Sequence, residues 1–232
     1  MVKEKIFHTQ RGESMKLIQN LLDLIYPPRC MFCHSFLRRD EKAICRSCRE
    51  HLPLLDEKNR QIPLKGIPAC SSLFRYEGDV RQAILRYKFH GLSFYSREFA
   101  SLMAENLTSE ELSCDVITWV PLSKKRKRTR GYDQAQLLAK DLASGIQVPC
   151  SCLLVKKRNA APQSGSGGRE ERKANIRDAY RIKDGADIRG KTILLIDDIV
   201  TTGATIEECA AVLSSAGAAC VKALTIARTE KK

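Results

Sequence analysis

Two adjacent acids, Asp197 and Asp198, are followed by Thr201, Thr202, Gly203, Ala204 and Thr205, and no other stretch of the chain is better equipped for chemistry. Paired carboxylates accept hydrogen bonds from vicinal hydroxyls, directly or around a divalent cation. A turn of small, hydroxyl-rich residues lets backbone N–H groups wrap a monoester phosphate, and a helix N-terminus behind it favours negative charge. A ribose 5-phosphate satisfies both halves at once.

The elements that must position these residues lie on either side. Ile193, Leu194, Leu195 and Ile196 are consecutive aliphatic residues, the signature of a strand buried on both faces of a parallel sheet. The acids are expected where that strand ends. Beyond the turn, Ile206, Cys209, Ala210 and Leu213 recur at helical spacing, with Gly217 as the stop. Thr205 and Glu208 have the spacing of a capping box, which predicts a helix start at or near Thr205.

A second constellation is Cys30-x-x-Cys33 and Cys45-x-x-Cys48. Two such knuckles supply four thiolates for a tetrahedral metal, with zinc the expected ion. Four protein ligands leave no open position, so the site is structural, and a segment this short needs its metal to fold. His34 and His51 are expected to be exposed or hydrogen-bonded rather than further ligands. Ahead of the knuckles, Leu17, Ile18, Leu21, Leu22 and Ile25 draw an apolar helical stripe that Pro27-Pro28 ends. The expected organisation is a flexible tail over 1–14, a helix and four-Cys module over 15–52, a linker over 53–68 and an α/β domain over 69–232.

A third feature is cationic. A strand expected over 115–122 runs into a basic loop carrying Ser123, Lys124, Lys125, Arg126, Lys127, Arg128 and Arg130. Its place after a buried strand puts the run at the sheet edge where the phosphate turn opens. Either a pyrophosphate or a nucleic-acid backbone would neutralise it, the latter in a salt-sensitive way. Tyr87-Lys88-Phe89-His90-Gly91 adds an aromatic–Lys–aromatic cluster that could stack a base or hold a phosphate, or simply close a helix with basic residues. Further on, Gly- and Ser-rich sequence carrying Gln163, then Arg169 and Arg172, has the character of a lid over a reactive centre.

Further strands expected at 70–76, 150–155 and 221–227 alternate with helices at 79–88, 93–107 and through Leu137, Leu138 and Leu142. This pattern predicts a mostly parallel central sheet. The 232 residues carry a net charge of +13, ten cysteines and 43% hydrophobic residues. The charge favours polyanionic partners. No apolar run is long enough to cross a membrane, and no apolar core precedes a small-residue cleavage site, so a cytoplasmic protein is expected. Cys70, Cys114, Cys150, Cys152, Cys209 and Cys220 sit among small or apolar residues and are expected to fill space rather than react.

The acid pair and its turn resemble the phosphoribosyl-pyrophosphate loop of type I phosphoribosyltransferases. That resemblance implies that Asp197 and Asp198 hold ribose hydroxyls, that Thr201 to Thr205 hold the 5-phosphate, and that magnesium accompanies the ligand. Purine-salvage members carry an aspartate where this chain has Thr201, which argues against purine salvage. The whole order of motifs is similar to the ComF family of competence-associated, phosphoribosyltransferase-like proteins. It comprises Pro-Pro, the four-Cys finger, Tyr-Lys-Phe-His-Gly, Arg130-Gly-Tyr-Asp-Gln134, the segment from Gln163 to Asn175, and Asp-Asp-Ile-Val-Thr-Thr-Gly. Membership implies handling of incoming single-stranded DNA, a DNA-uptake helicase or translocase as partner, and a cytoplasmic place that extends to the inner face of the membrane. An active phosphoribosyltransferase and a zinc-finger scaffold docking such a helicase remain the alternatives. No residue is assigned as a catalytic nucleophile or base.

Overall fold

Strand β6 (Thr192–Val200) lies inside a five-stranded sheet with β1 (Gln61–Leu64), β2 (Ile67–Arg75), β3 (Val116–Trp119) and β7 (Cys220–Arg228), in the order β1-β2-β7-β6-β3. The pairs β2–β7, β7–β6 and β6–β3 are parallel, and β1 joins the edge antiparallel. In a computed structural model the described residues are 27–157 and 178–230. They divide into two compact units between Leu52 and Pro53, and the sheet belongs to the second.

The aliphatic run explains why β6 is central. Ile193, Leu194, Leu195 and Ile196 are all fully buried, so successive side chains go into a core on each face of the sheet. On one face Ile193 and Leu195 pack with Ile206, Cys209 and Leu213 of α8 (Ala204–Ser215). The same core takes Tyr180 from a two-stranded antiparallel ribbon, β4 (Leu154–Lys156) and β5 (Tyr180–Ile182). The remaining helices among the described residues of the unit are α3 (Gly78–Phe89), α4 (Tyr95–Asn106), α6 (Lys124–Arg130) and α7 (Gln134–Ile146), together with the single turns α2 (Glu57–Arg60) and α5 (Ser109–Leu112). Val80, Ile84 and Tyr87 of α3, Phe99 and Met103 of α4, and Leu138 and Leu142 of α7 are buried.

A polar knot ties the edge hairpin to this body. Arg60 donates to the Asn106 carbonyl at 2.6 Å and pairs with Glu111 at 3.3 Å, both side chains buried. Glu111 also accepts from Ser71 Oγ at 2.8 Å and completes a capping box with Thr108. A buried ion pair persists only when its remaining oxygens are hydrogen-bonded in this way.

Three sequence expectations change. The segment 53–68, read as a linker or loop, carries α2 and β1; Pro63 disguised the strand, but proline is tolerated on an edge. β6 does not stop before the acids, because β7 keeps pairing with it as far as Val200↔Arg228, so Asp197 and Asp198 sit within the ladder. No capping box forms at Thr205. Gly203 is the N-cap of α8, and Glu208 instead accepts the N–H of Asp178 at 2.7 Å. The apolar stripe over 17–25 lies outside the described residues.

In the first unit, Arg29 and Phe36 form an antiparallel bridge around the first knuckle, and α1 (Arg46–Glu50) starts from Cys45. Among the described residues, no helix is long and apolar enough to cross a membrane.

Candidate functional site

The acids and the turn meet at the carboxyl end of β6. Consecutive strand residues face opposite ways, and the two acids obey the rule. Asp197 lines a small cup of about 40 Å³ with Thr201, Thr202, Gly203, Ala204 and Thr205, whereas Asp198 faces Lys88 near the end of α3. The Asp198 N–H donates to Asp197 Oδ1 at 2.8 Å, and Lys88 Nζ lies 2.8 Å from Asp198 Oδ1. Burial, and then the charge of Asp198, push the Asp197 carboxyl far above the usual range.

The cup depends on Gly203. Its φ of +82° is left-handed, and a Cβ there would stand 2.3 Å from Leu64 Cδ2. The β1–β2 turn closes against α8 from the same side, where Lys65 donates its N–H to Glu207 at 3.0 Å. Thr202 Oγ1 accepts the N–H of Ala204 at 3.4 Å. Beside the cup lies a cavity of about 310 Å³, lined by Ile62, Pro63, Leu64, Thr201, Thr202, Arg228, Thr229 and Glu230. The buried Arg228 Nε has no hydrogen-bond partner among the described residues.

The cationic run is not a loop but the helix α6, capped by Ser123 Oγ on the Arg126 N–H and ended by Gly131 in the left-handed conformation. Helical spacing sorts its charges. Lys124, Lys127 and Arg128 line a shallow hollow of about 370 Å³ with Gly131, and the Arg130 guanidinium lies over the Phe89 ring. None of Lys124, Lys125, Arg126, Lys127, Arg128 and Arg130 forms an ion pair with a described residue.

Residues 130–134 form the joint that holds Lys88 on Asp198. Tyr132 donates its hydroxyl to the Tyr87 carbonyl, Tyr87 donates its own to the Gln134 carbonyl, and Gln134 Nε2 reaches the Lys88 carbonyl. Asp133 caps α7 through the Gln136 N–H and takes the Leu122 N–H with its other oxygen. Lys88 and Arg228 were not assigned from sequence. The aromatic–Lys–aromatic spacing flagged Lys88 without its partner, and nothing in the sequence pointed to Arg228. Gln163, Arg169 and Arg172 lie outside the described residues.

The four cysteines converge as expected. The Sγ atoms of Cys30, Cys33, Cys45 and Cys48 lie within 4.8 Å of one another, with Cys33 and Cys45 at 3.7 Å. A tetrahedral zinc with bonds of about 2.3 Å requires thiolates roughly 3.8 Å apart, so the donor set fits the ion. The N–H groups of Cys45 and Cys48 donate to Cys30 Sγ and Cys45 Sγ, each at 3.4 Å, the support thiolate ligands need. Burial opposes ionisation of Cys33, yet hydrogen bonds from Ser35 and the neighbouring thiols hold it down at about 7. His51 Nδ1 sits 2.9 Å from the Ser47 carbonyl and is not a ligand. Elsewhere, burial pushes the Cys70 thiol up to about 12 and Cys114 up to about 11, which suits packing and not nucleophilic attack.

The acid pair in a parallel strand, the small turn and the helix behind it define a phosphoribosyltransferase-type domain, here preceded by a zinc-binding ribbon. A family model described as "Phosphoribosyl transferase domain" matches residues 133–232, and one described as "Double zinc ribbon domain" matches residues 21–59. The chain is 30% identical over 234 residues to competence protein ComFC of Streptococcus pneumoniae, covering 94% of this chain and 97% of that protein. It is 27% identical over 214 residues to DNA utilization protein YhgH of Escherichia coli (86% and 90% covered). It is 26% identical over 236 residues to ComFC of Bacillus subtilis (97% and 85% covered). The chain belongs to the ComFC family.

Proposed function

We propose that this is a competence-associated protein that handles incoming single-stranded DNA during transformation and binds phosphoribosyl pyrophosphate at the end of β6. The observation carrying this reading is the Asp197-lined cup at the N-terminus of α8, with Lys88 steadying Asp198 beside it. In this reading Thr201, Thr202, Gly203, Ala204 and Thr205 take the 5-phosphate through backbone amides and hydroxyls. Asp197 and Asp198 take the ribose hydroxyls. Ser123, Lys124, Lys125, Arg126, Arg128 and Arg130 meet the pyrophosphate or a DNA backbone.

Magnesium would arrive with the ligand, screening its phosphates, because Lys88 already neutralises Asp198 Oδ1. The relatives named for competence and for DNA utilization support the cellular role. A cytoplasmic place and a DNA-uptake helicase or translocase as partner belong to the same reading. The test is a salt-sensitive shift of a single-stranded oligonucleotide that disappears when the cations of α6 are neutralised. No shift near physiological salt would remove the DNA half.

The cavity of about 310 Å³ favours a second reading, an active phosphoribosyltransferase outside purine salvage. It adjoins the turn and has room for an acceptor beside Arg228. The reaction would form a bond from the acceptor to the ribose anomeric carbon while the bond to pyrophosphate breaks. Screening acceptors for pyrophosphate release tests this, and release that survives Asp197→Asn with Asp198→Asn would exclude the site.

A further inference from the structure

Phe89 is 59% exposed although it ends a helix whose neighbouring Tyr87 is fully buried. Leaving a phenyl ring in water forgoes the gain of burying it. The ring is nonetheless held. The Arg130 guanidinium lies 4.8 Å from its centroid, and Arg130 donates to Gln134 Oε1 at 2.9 Å. Gln134 is itself 1% exposed and bonded to the Lys88 carbonyl, so the Arg–Phe stack rests on a rigid base. Phe94, 54% exposed, follows five residues on, its ring edge-on to Tyr95.

Beside this aromatic step runs the cationic surface of α6. Its hollow of about 370 Å³ is lined by Lys124, Lys127 and Arg128. A charge run with no ion pair among the described residues, adjoining an exposed ring already stacked on arginine, has the two parts of a single-strand surface. One part tracks phosphates and the other stacks bases.

We propose that Phe89, backed by Arg130, is a base-stacking platform for single-stranded nucleic acid whose phosphates run along the cations of α6. This rests on the DNA half of the function proposed above. It goes beyond that half by requiring bases as well as phosphates, and it explains why the ring is outside. Duplex DNA, with its bases already stacked, lacks the free faces this platform would take.

The experiment is fluorescence anisotropy on the full chain. The probes are an oligothymidylate of roughly 16 nucleotides and an abasic oligonucleotide of the same length. The wild type binds the oligothymidylate more tightly. Phe89→Ala weakens that binding roughly 5- to 150-fold, the equivalent of losing one stacked base, and leaves abasic binding unchanged. Phe89→Trp retains binding, and its indole emission is quenched by the oligothymidylate but not by the abasic probe. If Phe89→Ala weakens both probes alike, or neither, the platform is wrong while backbone binding stands. If wild type binds neither probe, the DNA half falls with it. If polyglutamate of equal length binds as tightly as oligothymidylate, the surface is a docking face for acidic protein and the inference is overturned.

Discussion

Lys88 Nζ stands 2.8 Å from Asp198 Oδ1, with the two side chains only 15% and 13% exposed. An amine on α3 thereby balances one of two adjacent acids on β6. Removing it leaves a buried carboxylate uncompensated, a change that costs about 3 kcal/mol or more. Lys88→Gln is expected to lower the denaturant midpoint at unchanged slope and to weaken phosphoribosyl-pyrophosphate binding. Adding Asp198→Asn to Lys88→Gln should recover much of the stability, the non-additivity of two groups in contact. Additive losses would refute the pairing.

Asp197 predicts a pH dependence. Burial and the Asp198 charge raise its carboxyl from the usual 3.8 to about 8, so the folded protein holds a proton that the unfolded chain releases. Stability contributed by this site therefore falls as pH rises from 3.8 towards about 8. Asp197→Asn removes that loss. The variant should melt higher than wild type at the alkaline end, with the difference shrinking on acidification; each 1 kcal/mol corresponds to roughly 2–4 °C in Tm. A constant difference across pH would contradict this.

Gly203 predicts a local failure. At φ +82° any Cβ is strained, and here it would also meet Leu64 Cδ2 at 2.3 Å. Gly203→Ala should destabilise the second unit by roughly 1–3 kcal/mol and open the cup between the β1–β2 turn and α8. Phosphate-analogue binding, followed by calorimetry, should fall with it. Trimming the neighbour as Leu64→Ala together with Gly203→Ala relieves the contact but not the backbone strain, so recovery should be partial.

The four thiolates predict metal-dependent folding of the first unit. One equivalent of zinc is expected per chain, because Cys30, Cys33, Cys45 and Cys48 are the only cysteines within residues 21–59. Chelation, or Cys45→Ser, should abolish hydrogen-exchange protection around the knuckles and leave protection in β6 and β7. Intact protection after the metal is gone would show that the thiols do not depend on it.

Much of the site could be read from sequence because its parts are local. The aliphatic run, the acids and the turn are contiguous, and each Cys-x-x-Cys pair occupies one tight turn. What escaped was long-range. Lys88 meets Asp198 across 110 positions, and no spacing rule connects them. β1 was hidden by its proline and by being a short edge strand. α8 starts at Ala204, next to the expected Thr205, but the capping box suggested by the Thr205–Glu208 spacing does not form, because tertiary contact gives Glu208 to Asp178. The cations of α6 looked like a loop because like charges oppose helix formation. Ser123 at one end and Gly131 at the other supply the caps that offset this.

The central claim is that the end of β6 binds phosphoribosyl pyrophosphate. Isothermal titration with that ligand and magnesium tests it most directly, on wild type and on the double variant Asp197→Asn, Asp198→Asn. Saturable one-to-one binding is expected for the wild type, and its loss in a double variant that keeps its zinc and its cooperative unfolding. Equal binding by both proteins, or none by the wild type, would contradict it.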